Sequence, residues 1–281
     1  LQKLETSNKK PLVEEFIYLL QKCRKLKDLA YAHRLHLCIQ NFSERKAYEY
    51  LGNHIVPMFI ECGSIFYAEE VFWNLLSPNV HAWTSLIVGY VLHERSSEAF
   101  DLYQKMQDKE VYPSGHTLVA LVKACIQIHD VRKVHDEVVR KGFETDVFVG
   151  SSLIDKYIKY NSLLEALRLF DLLSVRNVVT WNVLIAGYAE QDGFSYEAYN
   201  CLKQMELDGI CPDDATFVGM LKASSAIKHI EGGRILHTEI LLRGLEREIS
   251  IGNTLIDMYA KCGYISEARF IFKKMLMRTM V

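Results

Sequence analysis

The chain has 281 residues, enough for one large domain or two ordinary ones, and its 49% hydrophobic content is that of a well-packed globule. A net charge of −2 excludes a strongly basic surface, so any polyanion partner has to be held by a local stripe of residues. Seven cysteines, an odd number with no C-x-x-C pair, argue against a disulfide framework and a thiolate zinc site, and no run of 18 apolar residues predicts a membrane span.

Five prolines and fifteen glycines favour helices over many-turned β structure. Residues 1–12 read as a flank that opens at Leu1 with no methionine and no apolar signal core, so a targeting segment was removed, lies outside this chain, or never existed. Helical units follow. Unit 13–48 begins VEEFIYLLQKCRKLKDLAYAHRLH, and unit 49–79 carries GNHIVPMFIECGSIFYAEEVF with Pro57 inside its first predicted helix. Unit 80–114 opens on VHAWTSLIVGY, and 115–146 on GHTLVALVKACIQIHDVRKVH, which resembles the start of the first unit. Unit 147–177 begins VFVGSSLIDKYIKYNSLLEALRLF.

In unit 178–213, Trp181, Leu184, Ile185 and Tyr188 fall on one helical face. After a break around Gly193, Ala198, Cys201, Leu202 and Met205 repeat that spacing. Gly209 sits where the second helix would stop in a left-handed residue, with Pro212 just beyond. Unit 214–248 begins DATFVGMLKASSAIKHIEGGRILH, and 249–279 begins ISIGNTLIDMYAKCGYISEARFIF. Met280 and Val281 read as the start of a further unit of a longer protein.

Three unit types thus alternate. Trp83 and Trp181, Gly89 and Gly187, and Tyr90 and Tyr188 recur at an offset of 98 residues, one full triplet of types. Helix pairs that cannot bury their apolar faces alone stack into a solenoid. The expected fold is all-α, a right-handed α-solenoid of helix-turn-helix repeats with a concave groove. Trp83, Trp181, Tyr90, Tyr157, Tyr188 and Tyr259 fall on the faces such a stack buries and read as core.

These phrases resemble the pentatricopeptide-repeat family, and within it the plant class in which standard (P), longer (L) and shorter (S) motifs alternate. VVTWNVLIAGYAE (178–190) and GICPD (209–213) carry the P likeness, GRILHTEILLRGLE (233–246) the L, and IGNTLIDMYAKCGYISEARFIF (251–272) the S. The resemblance assigns L to 13–48, 115–146 and 214–248, S to 49–79, 147–177 and 249–279, and P to 80–114 and 178–213. Unit 115–146 departs from the L pattern in lacking the Gly-Arg of Gly233–Arg234. The tetratricopeptide pattern, with its Trp-Leu-Gly and late proline, fits poorly.

Such repeats read single-stranded RNA one base at a time. The resemblance implies that the fifth and last residues of each P or S motif form the reading pair: Asn53 with Asn79, Thr84 with Ser114, Ser151 with Asn177, Asn182 with Asp213, and Asn253 with Thr279. By the same likeness the preferences in chain order are C, a purine, A, U and a pyrimidine. Tyr50, His81, Phe148 and Val179 occupy the second place, expected to wedge between bases. The L units, with Ile17, Val119 and Val218 at the fifth place, offer no hydrogen bond there. The plainer reading of Asn53, Asn182 and Asn253 is helix capping or solvation, and Asp213 reads equally as the cap of the next helix, both roles being compatible.

His237-Thr238-Glu239 matches half of the zinc-deaminase signature, but the P-C-x-x-C half is absent, and His36 and His135 hold the same place in the other L units. Those histidines read as packing or hydrogen-bonding between helices. With no phosphate loop or nucleophile elbow, the chain is read as non-catalytic, without metal or cofactor. The resemblance implies a plant chloroplast or mitochondrion and a role in RNA editing or processing. Editing cofactor proteins, or a deaminase in the same longer chain or in trans, would be the partners. The rival readings are a tetratricopeptide-like protein scaffold and a module that self-associates, as a homodimer, through an exposed face of 214–279.

Overall fold

The computed structural model describes residues 13–42, 44–191 and 195–279, and among them the regular elements are sixteen α-helices and one short 3-10 turn. The flank 1–12, the break at Gly193 and the start of a further unit at 280–281 lie outside the described residues. The helices come in pairs: α1 (Val13–Leu26) with α2 (Leu29–Phe42), α3 (Arg45–Glu61) with α4 (Ile65–Asn74), and α5 (Val80–Leu92) with α6 (Ser96–Asp108). Next come α7 (Gly115–Ala124) and α8 (Ile128–Arg140), α9 (Val147–Lys159) and α10 (Leu163–Leu172), and α11 (Val178–Glu190) and α12 (Ser195–Leu207). The last pairs are α13 (Asp214–Ala226) with α14 (Ile230–Leu242), and α15 (Ile249–Lys261) with α16 (Ile265–Thr279).

The chain divides within α8 into two compact units, Leu1–Asp136 and Glu137–Val281. In the first, α1 packs on α3, α3 on α5 and α5 on α7; in the second, α9 packs on α11, α11 on α13 and α13 on α15. The second helices α2, α4, α6, α12 and α14 each touch their own first helix and the next one. Each unit is therefore a stack of helical hairpins, the solenoid architecture that the repeat spacing predicts, with the first helices forming one continuous layer.

Aromatic side chains hold neighbouring pairs together. Trp83 meets Phe72 edge-on at 4.7 Å between ring centroids, and Trp181 meets Phe170 in the same way at 4.8 Å. Both tryptophans are buried, as are Tyr90, Tyr157, Tyr188 and Tyr259. A buried aromatic of this kind removes enough area from water to contribute roughly 4–6 kcal/mol of transfer free energy.

Local chemistry sets the helix ends. Gly209 has φ +74°, its N–H bonds Glu206 O at 3.0 Å, and Ile210 N–H bonds Met205 O at 3.0 Å, so α12 ends in the left-handed stop that the sequence predicts. Helix α3 starts at Arg45, in the tail the sequence reading allots to the preceding unit, and runs through the buried Pro57 to Glu61. The proline has no N–H to offer the carbonyl of Asn53, yet the helix does not end there. No helix among the described residues is long and apolar enough to cross a membrane.

Two of the three histidines that recur at one place in the repeats join helices. His36 Nε2 lies 2.9 Å from the Tyr48 hydroxyl, tying α2 to α3, and His237 Nδ1 lies 2.9 Å from the Tyr259 hydroxyl, tying α14 to α15. Burial, with His33 nearby, pushes His36 down to about 4, and burial with Lys274 lowers His237, so both rings are neutral near pH 7.

Candidate functional site

At four junctions the last residue of a sequence-derived unit immediately precedes the next first helix, caps it, and lies beside the fifth residue of its own unit. Asn79, Ser114, Asn177 and Asp213 are the N-caps of α5, α7, α11 and α13. Each side chain accepts a backbone N–H left without a partner in the first turn. The capping role weighed for Asn53, Asn182 and Asn253 thus belongs elsewhere: Asn53 lies well inside α3, and the other two are the fifth residues of α11 and α15.

Four of the five sequence-derived pairs are brought together. Asn182 Nδ2 donates to Asp213 Oδ1 at 2.8 Å. Asn79 N–H donates to Asn53 Oδ1 at 2.8 Å, while Asn53 Nδ2 donates to Glu49 O at 3.0 Å. The other two pairs meet through a third side chain. Thr117 Oγ1 lies 2.7 Å from Thr84 Oγ1 and 3.0 Å from Ser114 Oγ. Thr180 Oγ1 lies 2.8 Å from Ser151 Oγ and donates to Asn177 Oδ1 at 3.1 Å. Asn253 is exposed, and the side chain of its partner Thr279 lies outside the described residues.

The members differ in what they offer a ligand. Ser151 is only 6% exposed and donates to Val147 O at 2.7 Å, so Asn177 is the accessible half of that pair. The Asn177 Oδ1 is occupied by Thr180 N–H and hydroxyl, which leaves its amide protons for outside partners. Burial alone would raise the Asp213 carboxyl, but hydrogen bonds from Thr216 and Asn182 outweigh it and hold the group below its ordinary range. It stands as an anion at neutral pH.

The four residues at the second place are all on the surface: Tyr50 is 54% exposed, Phe148 69% and Val179 54%, and His81 is exposed as well. Between α3, α5 and α7 lies a groove of about 400 Å³, with Pro57, Val88, Leu92 and Val119 in its walls and Thr84 and Lys123 on its lining.

One feature escaped the sequence reading. Thr117, Thr180 and Thr216, each fully buried, stand three residues after their caps and complete the pairs; the Ser/Asn/Asp-x-x-Thr spacing of a capping box was the available signal. In the first unit buried Phe16, Leu20 and Cys23 occupy the places of buried Leu118, Val122 and Cys125, so half-buried Ile17 stands at the place of half-buried Val119. Among the described residues no group of three His, Cys, Asp or Glu could hold a metal ion.

The sequence matches the PPR repeat family over residues 78–127 and 176–225 and the PPR repeat over 253–279. It is 33% identical over 266 residues to a mitochondrial pentatricopeptide repeat-containing protein of Arabidopsis thaliana, covering 94% of this chain and 42% of that one. A chloroplastic pentatricopeptide repeat-containing protein of the same plant is 32% identical over 287 residues, covering 99% of this chain and 54% of the relative. The chain thus spans about half or less of the curated relatives it matches. Among solved structures, the pentatricopeptide repeat protein PPR10 in complex with an 18-nt psaJ RNA element superposes with a TM-score of 0.75 at 17% identity, over 98% of this chain and 41% of that one. At that identity the likeness is one of fold. Repeat phrases, stacked helix pairs and relatives agree, and the chain belongs to the pentatricopeptide-repeat family.

Proposed function

We propose that this chain is a sequence-selective tract for single-stranded RNA in which each P or S motif reads one base. The observation that carries the reading is the recurring meeting of a fifth and a last residue at the unit junctions, beside an exposed second residue. An amide or carboxylate there has a donor or acceptor to offer a Watson–Crick edge, and the exposed Tyr50, His81, Phe148 and Val179 have faces to set against bases. The RNA-bound PPR10 of like fold supports the same partner.

The assignment in chain order is C at Asn53 and Asn79, a purine at Thr84 and Ser114, A at Ser151 and Asn177, U at Asn182 and Asp213, and a pyrimidine at Asn253 and Thr279. Asp213 suits uracil because an anionic acceptor can take the N3–H that uracil has and neutral cytosine lacks. The L motifs, with Ile17, Val119 and Val218 at the fifth place, contribute little discrimination. We assign the chain to the site-recognition part of a longer chloroplast or mitochondrial factor for RNA editing or processing, on the P, L and S tiling given above. The chemistry itself is done by other domains or partner proteins.

An equilibrium titration at two salt concentrations tests this, comparing RNA of sequence C-R-N-A-U-N-Y with a scrambled RNA and the matching DNA. Preference for the ordered RNA, with affinity falling as salt rises, is the expected result. With about 1–3 kcal/mol per good base contact, set against the ordering of the strand, micromolar affinity is expected from so few units. The paired change Asn182→Ser with Asp213→Asn then shifts that position from U toward A. Equal binding of all three strands overturns the reading and favours a protein-binding scaffold, for which the apolar groove between α3, α5 and α7 is the supporting observation.

A further inference from the structure

We infer that the buried threonine at three of the junctions, Thr216 above all, is a positioning residue for base reading: it helps fix which way the reading pair presents its donors and acceptors. The inference rests on the RNA-reading proposal above and adds a third position to it.

A free asparagine amide exchanges its oxygen and nitrogen by a simple flip, and the two flips present opposite patterns to a base edge. At the Asn182 junction the flip is decided. The Asp213 carboxylate can only accept, so Asn182 Nδ2 faces Oδ1 at 2.8 Å. Thr216 Oγ1 accepts Asp213 N–H at 3.1 Å and donates its own proton to Asn182 Oδ1, 2.5 Å away. A flipped amide would set its oxygen against the Asp213 carboxylate, acceptor against acceptor, and would lose the Thr216 hydroxyl proton that Asn182 Oδ1 now shares with Asp213 Oδ1, 3.0 Å away. Thr216 is itself fully buried, so it touches no base and acts only through Asn182 and Asp213.

The arrangement recurs. Ser151 Oγ lies 2.7 Å from Val147 O and 2.8 Å from Thr180 Oγ1, and the buried Thr180 hydroxyl stands between it and Asn177 Oδ1, 3.1 Å away. The buried Thr117 bridges Thr84 and Ser114. The Asn53 junction is the built-in contrast. Ala82 stands where the threonine would be, and Asn79 N–H bonds Asn53 Oδ1 directly. Selectivity there needs no hydroxyl.

The test compares the unaltered chain, Thr216→Val, Thr216→Ser and the Asn182→Ser/Asp213→Asn double change. Each is titrated against four RNAs that differ only at the base facing Asn182 and Asp213, with circular dichroism melts in parallel. Thr216→Val is expected to lose about tenfold of the preference for U while preference at the Asn53 position stays, and Thr216→Ser keeps both. A merely structural threonine would weaken all four RNAs equally. If Thr216→Val keeps its preference for U while the double change moves it toward A, the positioning role is overturned and the RNA reading stands. If the unaltered chain shows no preference and the double change does nothing, the RNA reading falls and this inference with it. Should α13 fail to form without its capping box, Thr180→Val read at the preceding A position supplies the same decision.

Discussion

Ile158 lies flat against the backbone of Gly187, so close that a methyl group on Gly187 would stand 2.6 Å from Ile158 Cδ1 and 2.8 Å from Cγ2. The contact joins α9 to α11 and explains why the W-N-x-L-I-x-G-Y phrase keeps a glycine inside a helix that would otherwise favour alanine. Gly89 meets Ile60 in the same way in the first compact unit.

Gly187→Ala is therefore expected to destabilise the protein by about 1–3 kcal/mol, the overpacking cost outweighing the gain in helix propensity. Chemical denaturation of the two proteins measures it. A stabilised variant would mean that Ile158 moves aside freely.

Phe148 and Trp181 separate binding from folding. Phe148 is 69% exposed and Trp181 only 2%. Phe148→Ala is expected to leave the melting temperature within a degree or so of the unaltered protein, roughly the effect of an ordinary surface change, while weakening RNA binding by about tenfold. Trp181→Ala should cost about 3–5 kcal/mol of stability. Melts and titrations on both variants check the contrast.

Asn177 closes a capping box with Thr180, giving its oxygen to Thr180 N–H at 3.0 Å. Asn177→Ala is expected to cost about 1 kcal/mol through the start of α11. Asn177→Asp keeps the cap while removing the outward amide protons, so it should retain stability yet lose preference at that base. A denaturation curve and a four-base titration together distinguish the two roles of one side chain.

Stability should also fall with pH in a defined window. Burial, then His33, holds His36 at about 4, and burial lowers His135 and His237 as well. The unfolded chain, with histidines near 6.5, takes up protons first. The contribution is thus whole above about pH 6.5, declines as pH falls, and for His36 levels off near 4. The Asp213 carboxyl sits below 3.8, so its contribution is present above that value and is lost only at lower pH. Melting temperatures taken from pH 7.5 to 4.5 should decline, and His36→Gln should flatten the slope. An unchanged slope in that variant would mean that the His36 ring is solvated and free to charge.

The helix pairs were legible because their signals are local. A 3.6-residue apolar period, a glycine at a left-handed stop and a recurring Trp-x-x-Leu-Ile phrase lie within a dozen residues of one another, and Trp181, Tyr188 and Gly209 stand where that spacing puts them. Even Pro57, a strong local warning, yielded to the packing around α3. What misled was also local: an asparagine near a helix start resembles a cap, yet the caps are the residues that end the preceding unit, Asn79, Asn177 and Asp213.

By itself the sequence determined the repeat, its period, the aromatic core and the identity of the residues that the family likeness pairs. Only the tertiary structure decided how those residues meet. It buries Ser151 beneath Thr180, turns Asn53 toward a backbone N–H, and sets Asn182 between Asp213 and Thr216. Those bonds join residues 26 to 34 positions apart, so their geometry depends on how one helix pair docks on the next. No pattern within a single repeat encodes that docking.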